Sequence, residues 1–595
     1  DGHHLVPSTS LILLKKYITN YHDVFMGRFC FTGVAMSFYF RLKDKKGQVI
    51  NYGAYHFFND IFNVNNMFDA VPYLLKADTF KFPKWSVGGK IYQIFVERFA
   101  PTNEYSKNWF EPTNYFSKLN GTLKGITKNL GYIKNLGMDA IYMTPIFKSP
   151  TNHKYDVEDY ENVDSAYGTA EDFKKLVDAC HEKGIRLVID LVMNHSSSKH
   201  PWFTQACEYL AGLKDGEQPD LSVCPYAGYY NFSNEKVSQT YYQVPGTTNW
   251  WYEGSFWSEM PDLNMENDAV RKEFENIADY WMDLGVDGFR MDAAMHYTEN
   301  ATVANSDVLN WYYTYCKKRN PEFYMVSEVW ASENVIADYY GSETPSMFNF
   351  DAGTAKGKLV SATRKGDPNI LVNAMLKYQQ DFSAKNPDYI DAPFLTNHDM
   401  GRIANVLVND PEKIKVAAGL LMTMNGSPFV YYGEEIGMNS AGTKDENKRI
   451  PMVWSKTDNT GMTDGPADMD QGIESPFEGV DVQEQDEDSI LNYYKRALRL
   501  RNENPEIARG TIEKIDSLCD GSVAAITKTY DKSTIGIVYQ LGDSNSFVNI
   551  GDTQLADAEL VGYLTLKSKE EVRLTQGQLE MPAKSIAIVR LPKQE

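Results

Sequence analysis

Cysteine is scarce in this chain. Six residues in 595 (Cys30, Cys180, Cys207, Cys224, Cys316 and Cys519) include no C-x-x-C pair. That spacing excludes a zinc ribbon and supplies no disulfide framework, so thiols are expected. Only Cys207 and Cys224 are placed to bridge within one loop region. Long apolar runs are missing too: no stretch reaches about eighteen residues, which excludes a membrane-spanning helix. The nearest candidate, F-C-F-T-G-V-A-M-S-F-Y-F from Phe29 to Phe40, is short and reads as strand. Basic residues are outnumbered, 59 Lys and Arg against 80 Asp and Glu, for a net charge of −21. Such a balance argues against nucleic acid or an anionic membrane as the main partner and suits a neutral substrate. Internal repeats and low-complexity tracts are absent. The chain starts at Asp1 without Met, so an export signal would lie upstream; an extracellular or cell-surface setting is favoured, with a cytoplasmic one left open.

Aromatic residues, by contrast, are plentiful, with 38 Tyr and 10 Trp. Amphipathic rings suit both cores and the apolar faces of sugars. The length is too great for one core and implies about three or four domains. Residues 1–85 are rich in Phe, Tyr and Val around a D-K-K-G turn, the pattern of a small β-sandwich, with Phe82-Pro83-Lys84-Trp85 as its exit linker. From residue 86 to 507 short apolar runs alternate with helix-length segments. The runs are 91–96, 140–145, 186–192, 286–292, 323–329, 347–351, 392–397 and 428–433. Eight strands separated by helices predict an α/β fold, a (β/α)8 barrel. The third connection is anomalously long, and residues 196–262 read as an inserted loop domain. Residues 508–595 read as a C-terminal β-sandwich.

In such barrels chemistry sits where strands end at the C-terminal face. There the sequence places Glu97 and Arg98, Asp190, Asn194 and His195, Arg290 and Asp292, Glu328, and Asn397, His398 and Asp399. Arg290 and Asp292 lie two apart on one strand and so share a face. A structural ion pair explains them in isolation; the convergence of acids on one rim points to catalysis. Paired carboxylates are the equipment of glycoside hydrolysis, one ionised nucleophile and one protonated acid. Arg290 is expected to depress the pKa of Asp292, and the apolar neighbours of Glu328 to raise its own. Asp399 is placed to stabilise a positively charged transition state.

The segments D-L-V-M-N-H (190–195), G-F-R-M-D-A-A-M-H (288–296), E-V-W (328–330) and T-N-H-D (396–399) resemble, in order, the four signature segments of the α-amylase family of glycoside hydrolases. The resemblance covers nearly the whole chain. It implies a retaining double displacement on an α-glucan, with Asp292 as nucleophile, Glu328 as acid/base and Asp399 as stabiliser. It also implies Tyr155, His195, Arg290 and His398 around the sugar at the cleavage point, with Asp156 structural. A non-catalytic sugar-binding barrel is the remote alternative; members of that kind typically lose one of the acids.

Asn194, Asp262 in M-P-D-L-N and the carbonyl of His296 match positions that bind a structural calcium in many α-amylases. Metal-free relatives share parts of the same motifs, so both states stay open. No metal is expected at E-R-F-A-P-T-N-E-Y after the first strand, and D-G-P-A-D-M-D (464–470) reads as a solvated loop. The N-terminal domain and T-N-H-K-Y-D resemble cyclomaltodextrinases and neopullulanases. Those relatives usually carry Lys at the position of Asp262, whereas T-N-H-D-M-G-R and Asp262 look more like an intermediate group of α-amylases. Endo-hydrolysis of α-1,4-glucans is therefore expected, with α-1,6 bonds, cyclodextrins and transglycosylation as alternatives. The N-terminal domain is shorter than in cyclomaltodextrinases, so their dimer arrangement is in doubt and the oligomeric state stays open.

Overall fold

The structure is a computed structural model and describes residues 14–18, 23–26, 36–53, 56–58, 68–70, 82–102, 120–298, 301–440, 442, 444–458, 460–465 and 475–592. The chain divides into two compact units, Asp1–Phe80 and Lys81–Glu595. In the first, short antiparallel pairings join Leu14–Ile18 to Asp23–Met26, Met36–Phe38 to Phe68–Ala70, and Phe40–Lys43 to Val49–Gly53 and His56–Phe58. The expected D-K-K-G turn closes the last of these. Asp44 Oδ1 accepts from the backbone of Lys46 and Gln48, and Gly47 takes a φ of +85°, a conformation that glycine adopts at no steric cost. The remainder of the expected N-terminal β-sandwich lies outside the described residues, as do Cys30, residues 29–35 of the apolar run, the loop from Asn103, and 466–470.

The second unit is built on a closed parallel barrel. Its strands are β1 (Ile91–Ile94), β2 (Ala140–Met143), β3 (Arg186–Leu191), β4 (Gly288–Met291), β5 (Tyr324–Ser327), β6 (Ser346–Met347), β7 (392–394) and β8 (Phe429–Tyr431). Continuous ladders run from β8 through β1 to β6. β7 is held only by single parallel bridges, Phe348 to Ala392 and Phe394 to Phe429, which complete the ring. Pro393 sits inside that strand and has no N–H to give a longer ladder. Beneath the C-terminal rim the barrel is plugged by rings: Phe348 packs on Tyr142, Phe394 and Phe429 with centroids 4.7–6.5 Å apart.

Helices cover the outside, and their ends follow the sequence. Ala170–Glu182 opens with a reciprocal Thr169–Asp172 capping box and buries Phe173, Leu176, Val177 and Cys180. The long connection after β3 contains helix Pro201–Ala211 and a three-stranded antiparallel sheet, Phe232–Ser233, Trp251–Glu253 and Tyr241–Gln243. Phe203 is its core, packed against Tyr230 and Tyr252. After β2 a hairpin of Phe147–Lys148 and Asp159–Val163 carries Tyr155 on its loop.

The expected linker at Phe82–Trp85 is instead part of the barrel base. Phe82 is buried, Trp85 donates through Nε1 to the Glu322 carbonyl at 3.1 Å, and its ring meets Tyr324 edge-on. Burial of the Phe82 ring and packing of the half-buried Trp85 on Tyr324 outweigh the chain-breaking tendency of the proline between them. At the C-terminus a five-stranded antiparallel sheet faces a three-stranded one, with Val538, Val548, Leu579, Met581 and Val589 between them. The five described cysteines are thiols, buried except for Cys519. No helix among the described residues is long and apolar enough to cross a membrane.

Candidate active site

Register assembles the site. Asp190 on β3 stands directly opposite Arg290 on β4, and the strand ends deliver Asp292 and Glu328 one step further out. Asp292 is followed by Ala293 at a φ of +47°, a left-handed conformation uncommon for a residue with a side chain. This turn aims the Ala293 N–H at Glu328 Oε2, 3.1 Å away. Arg290 is 2 % exposed. Its Nη1 donates to Asp292 Oδ1 at 2.5 Å and to Asp190 Oδ1 at 2.8 Å, while Nη2 reaches Glu328 Oε1 at 2.9 Å. One buried cation thus serves three carboxyls.

That count decides their electrostatics. Burial pushes Asp292 up to about 7, with Arg290 opposing and Glu328 adding to the rise. Burial likewise raises Glu328, against the pull of Arg290. The direction for Glu328 is the expected one. For Asp292 it reverses the expectation: a guanidinium divided among three acids is outweighed by desolvation and by the neighbouring carboxyls. Asp190, also raised to about 7 by burial, accepts from Tyr142 at 2.6 Å and Tyr155 at 2.9 Å. Asp399 goes the other way. Burial works against its charge, yet His398, Arg449 and Arg290 hold its pKa below the usual carboxylate value.

A hydrogen-bond chain links the acids. Gln93 Nε2 lies 2.8 Å from His398 Nδ1, and His398 Nε2 lies 2.7 Å from the Tyr155 hydroxyl and 3.1 Å from Asp399 Oδ2. Burial lowers His398 to about 3, so its ring is neutral. If the Gln93 amide donates to Nδ1, the single ring proton sits on Nε2, and Tyr155 spends its own proton on Asp190. This one assignment satisfies every member. Tyr155 also lies parallel to His398, 5.6 Å between centroids, and is backed by His153. Asp156 points into its own loop, accepting from Ser149 and Thr151, as befits a structural role.

His195 is buried beside Phe256, with Nε2 unpartnered, and burial lowers its pKa to about 4. The adjacent Asn194 has its Oδ1 buried without a partner. Its Nδ2 lies 3.4 Å from Asp262 Oδ1, and burial pushes Asp262 up to about 7. An orphan amide oxygen beside a desolvated carboxyl is a donor pair that a hard cation would satisfy. The His296 side chain is exposed and packs edge-on to Phe256, leaving only its carbonyl for such a role. Among the described residues no group of three or more His, Cys, Asp or Glu could hold a metal, so a cation here would rest largely on amide and carbonyl oxygens.

The sequence placed Asp190 on the rim but gave it no role, and Tyr142, Gln93 and Arg449 were not singled out. Asp190 carried a signal, being an acid inside an otherwise apolar strand. Arg449, in N-K-R-I-P, carried none. Arg98 donates through Nε to the Arg449 carbonyl at 2.8 Å and meets Glu97 Oε2 at 3.4 Å.

Residues 93–510 match the family model for the α-amylase catalytic domain. Alpha-amylase 3 of Dictyoglomus thermophilum is 34% identical over 519 residues, 85% of this chain and 94% of that protein. Neopullulanase 2 of Thermoactinomyces vulgaris is 28% identical over 536 residues, 86% of this chain and 78% of that one. The solved structure of Eubacterium rectale Amy13B superposes with a TM-score of 0.79 at 36% identity, covering 86% of this chain and 96% of that one. With the barrel, the rim of acids and these likenesses in agreement, the chain belongs to the α-amylase family of glycoside hydrolases.

Proposed function

We propose that this α-glucan hydrolase cleaves α-1,4-glucosidic bonds of starch or maltodextrins with retention, using Asp292, Glu328 and Asp399. The observation that carries the reading is the split state of the three acids: Asp399 held ionised, Asp292 and Glu328 raised by burial around a shared arginine. Two carboxyls on one guanidinium are close neighbours, in keeping with the roughly 5–5.5 Å separation of retaining enzymes. Burial of both carboxyls favours a shared proton on the Asp292–Glu328 pair, and the reaction assigns it to Glu328.

Glu328 gives that proton to the glycosidic oxygen as the C1–O bond breaks, and the Asp292 carboxylate attacks C1. A glycosyl ester forms and the shortened glucan leaves. Glu328, now ionised, takes a proton from water; the water oxygen attacks C1, releasing Asp292 and restoring the starting state. Asp399 opposes the positive charge on the ring in both transition states. Tyr155 offers a ring face to the sugar, and neutral His195, whose Nε2 is unpartnered, offers an N–H donor to its hydroxyls, while His398 lines the same sugar and holds Tyr155 and Asp399 in place. Asn194, Asp262 and the His296 carbonyl would hold calcium, which would tie the inserted domain to the barrel.

Product analysis on maltoheptaose, pullulan and β-cyclodextrin tests the substrate. Internal cuts in maltoheptaose, with α-anomers as first products, are expected; initial β-anomers would overturn the mechanism. Preference for pullulan or β-cyclodextrin would favour the second reading, which the likeness to a neopullulanase supports. Long oligosaccharides formed from maltoheptaose would mark transfer to a sugar in place of water.

A further inference from the structure

We propose that Arg449 is a positioning residue for the reaction, which fixes the Asp399 carboxylate and is itself held by Arg98. The proposal rests on the role given to Asp399 above. Arg449 ends the turn Asp445–Lys448 in the loop after β8. Its Nη2 donates to Asp399 Oδ1 at 2.8 Å, and its Nε donates to the His398 carbonyl at 2.9 Å. Lys448 Nζ adds a bond to the Asp399 carbonyl at 3.0 Å. One short segment therefore grips side chain and backbone of the same two residues.

The grip is built in advance. Arg98 donates through Nε to the Arg449 carbonyl, and both guanidinium groups lie over the Phe95 ring, 5.1 and 5.4 Å from its centroid. Arg98 is 1% and Arg449 8% exposed. Packing two like charges against one ring is costly unless counter-charges lie close. Glu97 meets Arg98 at 3.4 Å, and Asp445 meets Arg449 at 3.2 Å. The Glu97–Arg98 pair at the end of β1 thereby acts on the site through Arg449.

Asp399 has two oxygens and two fixed partners. Oδ1 faces Arg449 and Oδ2 faces His398. The carboxylate is held at a set rotation, while 29% of its side-chain surface remains open to a sugar. Preorganised charge is what stabilises a transition state most, because nothing has to reorient as the charge develops. A tether that only anchored the loop would have no need to occupy a carboxylate oxygen.

The test is steady-state kinetics of the full chain on an activated aryl α-maltooligoside, using Arg449→Met, Arg449→Lys, Asp399→Asn and the double variant Asp399→Asn/Arg449→Met. Loss of one charge-assisted bond predicts a fall in kcat of about 10- to 100-fold for Arg449→Met with little change in KM. Arg449→Lys keeps the charge and is expected to recover part of that loss. In the Asp399→Asn background, Arg449→Met should cost less than about 3-fold more, because its target is already gone. Independent, multiplying effects would overturn the proposal, as would an Arg449→Met variant that raises KM with kcat unchanged. If Arg449→Met does not fold, Arg449→Lys takes its place: a fall in kcat for Arg449→Lys that recurs undiminished in the Asp399→Asn/Arg449→Lys double variant overturns it equally. Near-normal activity of Asp399→Asn alone would instead remove the role of Asp399, and is read separately.

Discussion

Asp190 and Arg290 stand opposite each other in register on adjacent barrel strands, and the carboxylate accepts from Nη1 at 2.8 Å. Asp190 is fully buried, and it takes two tyrosine hydroxyls besides. It is therefore the anchor that sets where the rest of the guanidinium points. Arg290 then presents its remaining donors to Asp292 and Glu328. Asp190→Asn keeps the shape but must offer an N–H to a donor or lose an acceptor. A destabilisation of about 1–3 kcal/mol is expected, with kcat falling by roughly tenfold or more as Arg290 loosens. Calorimetry and maltoheptaose kinetics measure the two together; unchanged kcat would show that Arg290 needs no anchor.

Asp292→Asn removes the attacking carboxylate while preserving its volume. Turnover of soluble starch is expected to fall by about 10⁴-fold or more, the scale on which loss of a covalent nucleophile acts. Far-UV circular dichroism should stay that of the parent protein. Near-normal hydrolysis by a folded variant would sink the nucleophile assignment.

The stability of the protein should fall as pH rises from about 4 to about 8. Burial pushes Glu434 up to about 8, with Glu435 adding to the rise, and Asp391 up to about 7. Both ionise near their ordinary values, 4.5 and 3.8, in the unfolded chain. Across that window the folded protein keeps protons that the unfolded chain has released, so each step upward in pH favours unfolding. His153, His195, His200 and His398, lowered by burial to about 3 or 4, oppose this trend below about 6.5. Asp190, Asp262 and Asp292, each raised to about 7, add to it, and Asp399 acts only below its ordinary value. Calorimetry at about pH 5 and about pH 8 should give the higher Tm at the lower pH. Glu434→Gln should flatten that difference; a Tm that rises toward pH 8 would contradict the burial argument.

The barrel was legible because its rhythm is written twice, in apolar runs of strand length and in polar residues placed where those runs end. Asp292, Glu328 and Asp399 could be located that way, each lying at a strand's exit. What could not be read is what depends on three-dimensional sharing. That Arg290 would divide itself among three acids requires the register of β3 against β4 and β5, and it reverses the pKa direction for Asp292. Arg449 lies fifty residues beyond Asp399 on a turn whose sequence looks like ordinary solvated charge. Phe82–Trp85 misled for the opposite reason: its Pro and Lys read as linker, while the two rings that decide its fate needed a partner surface to be recognised.

Calcium remains the sharpest question at the join between barrel and insert. Asn194 and Asp262 lie at the backbone bridge between His195 and Asp262, so a cation there would brace the segment that carries His195. Without one, the Asn194 Oδ1 has no hydrogen-bond partner in the structure and the Asp262 carboxyl is desolvated, two costs that binding would remove. Chelation is therefore expected to lower Tm by several degrees, and added calcium to restore it in a concentration-dependent way. Asp262→Asn should melt near the chelated value and respond to neither treatment. The readout is calorimetry paired with elemental analysis of the purified chain. A Tm indifferent to chelation, with no metal found, would mean that the protein bears both costs unaided.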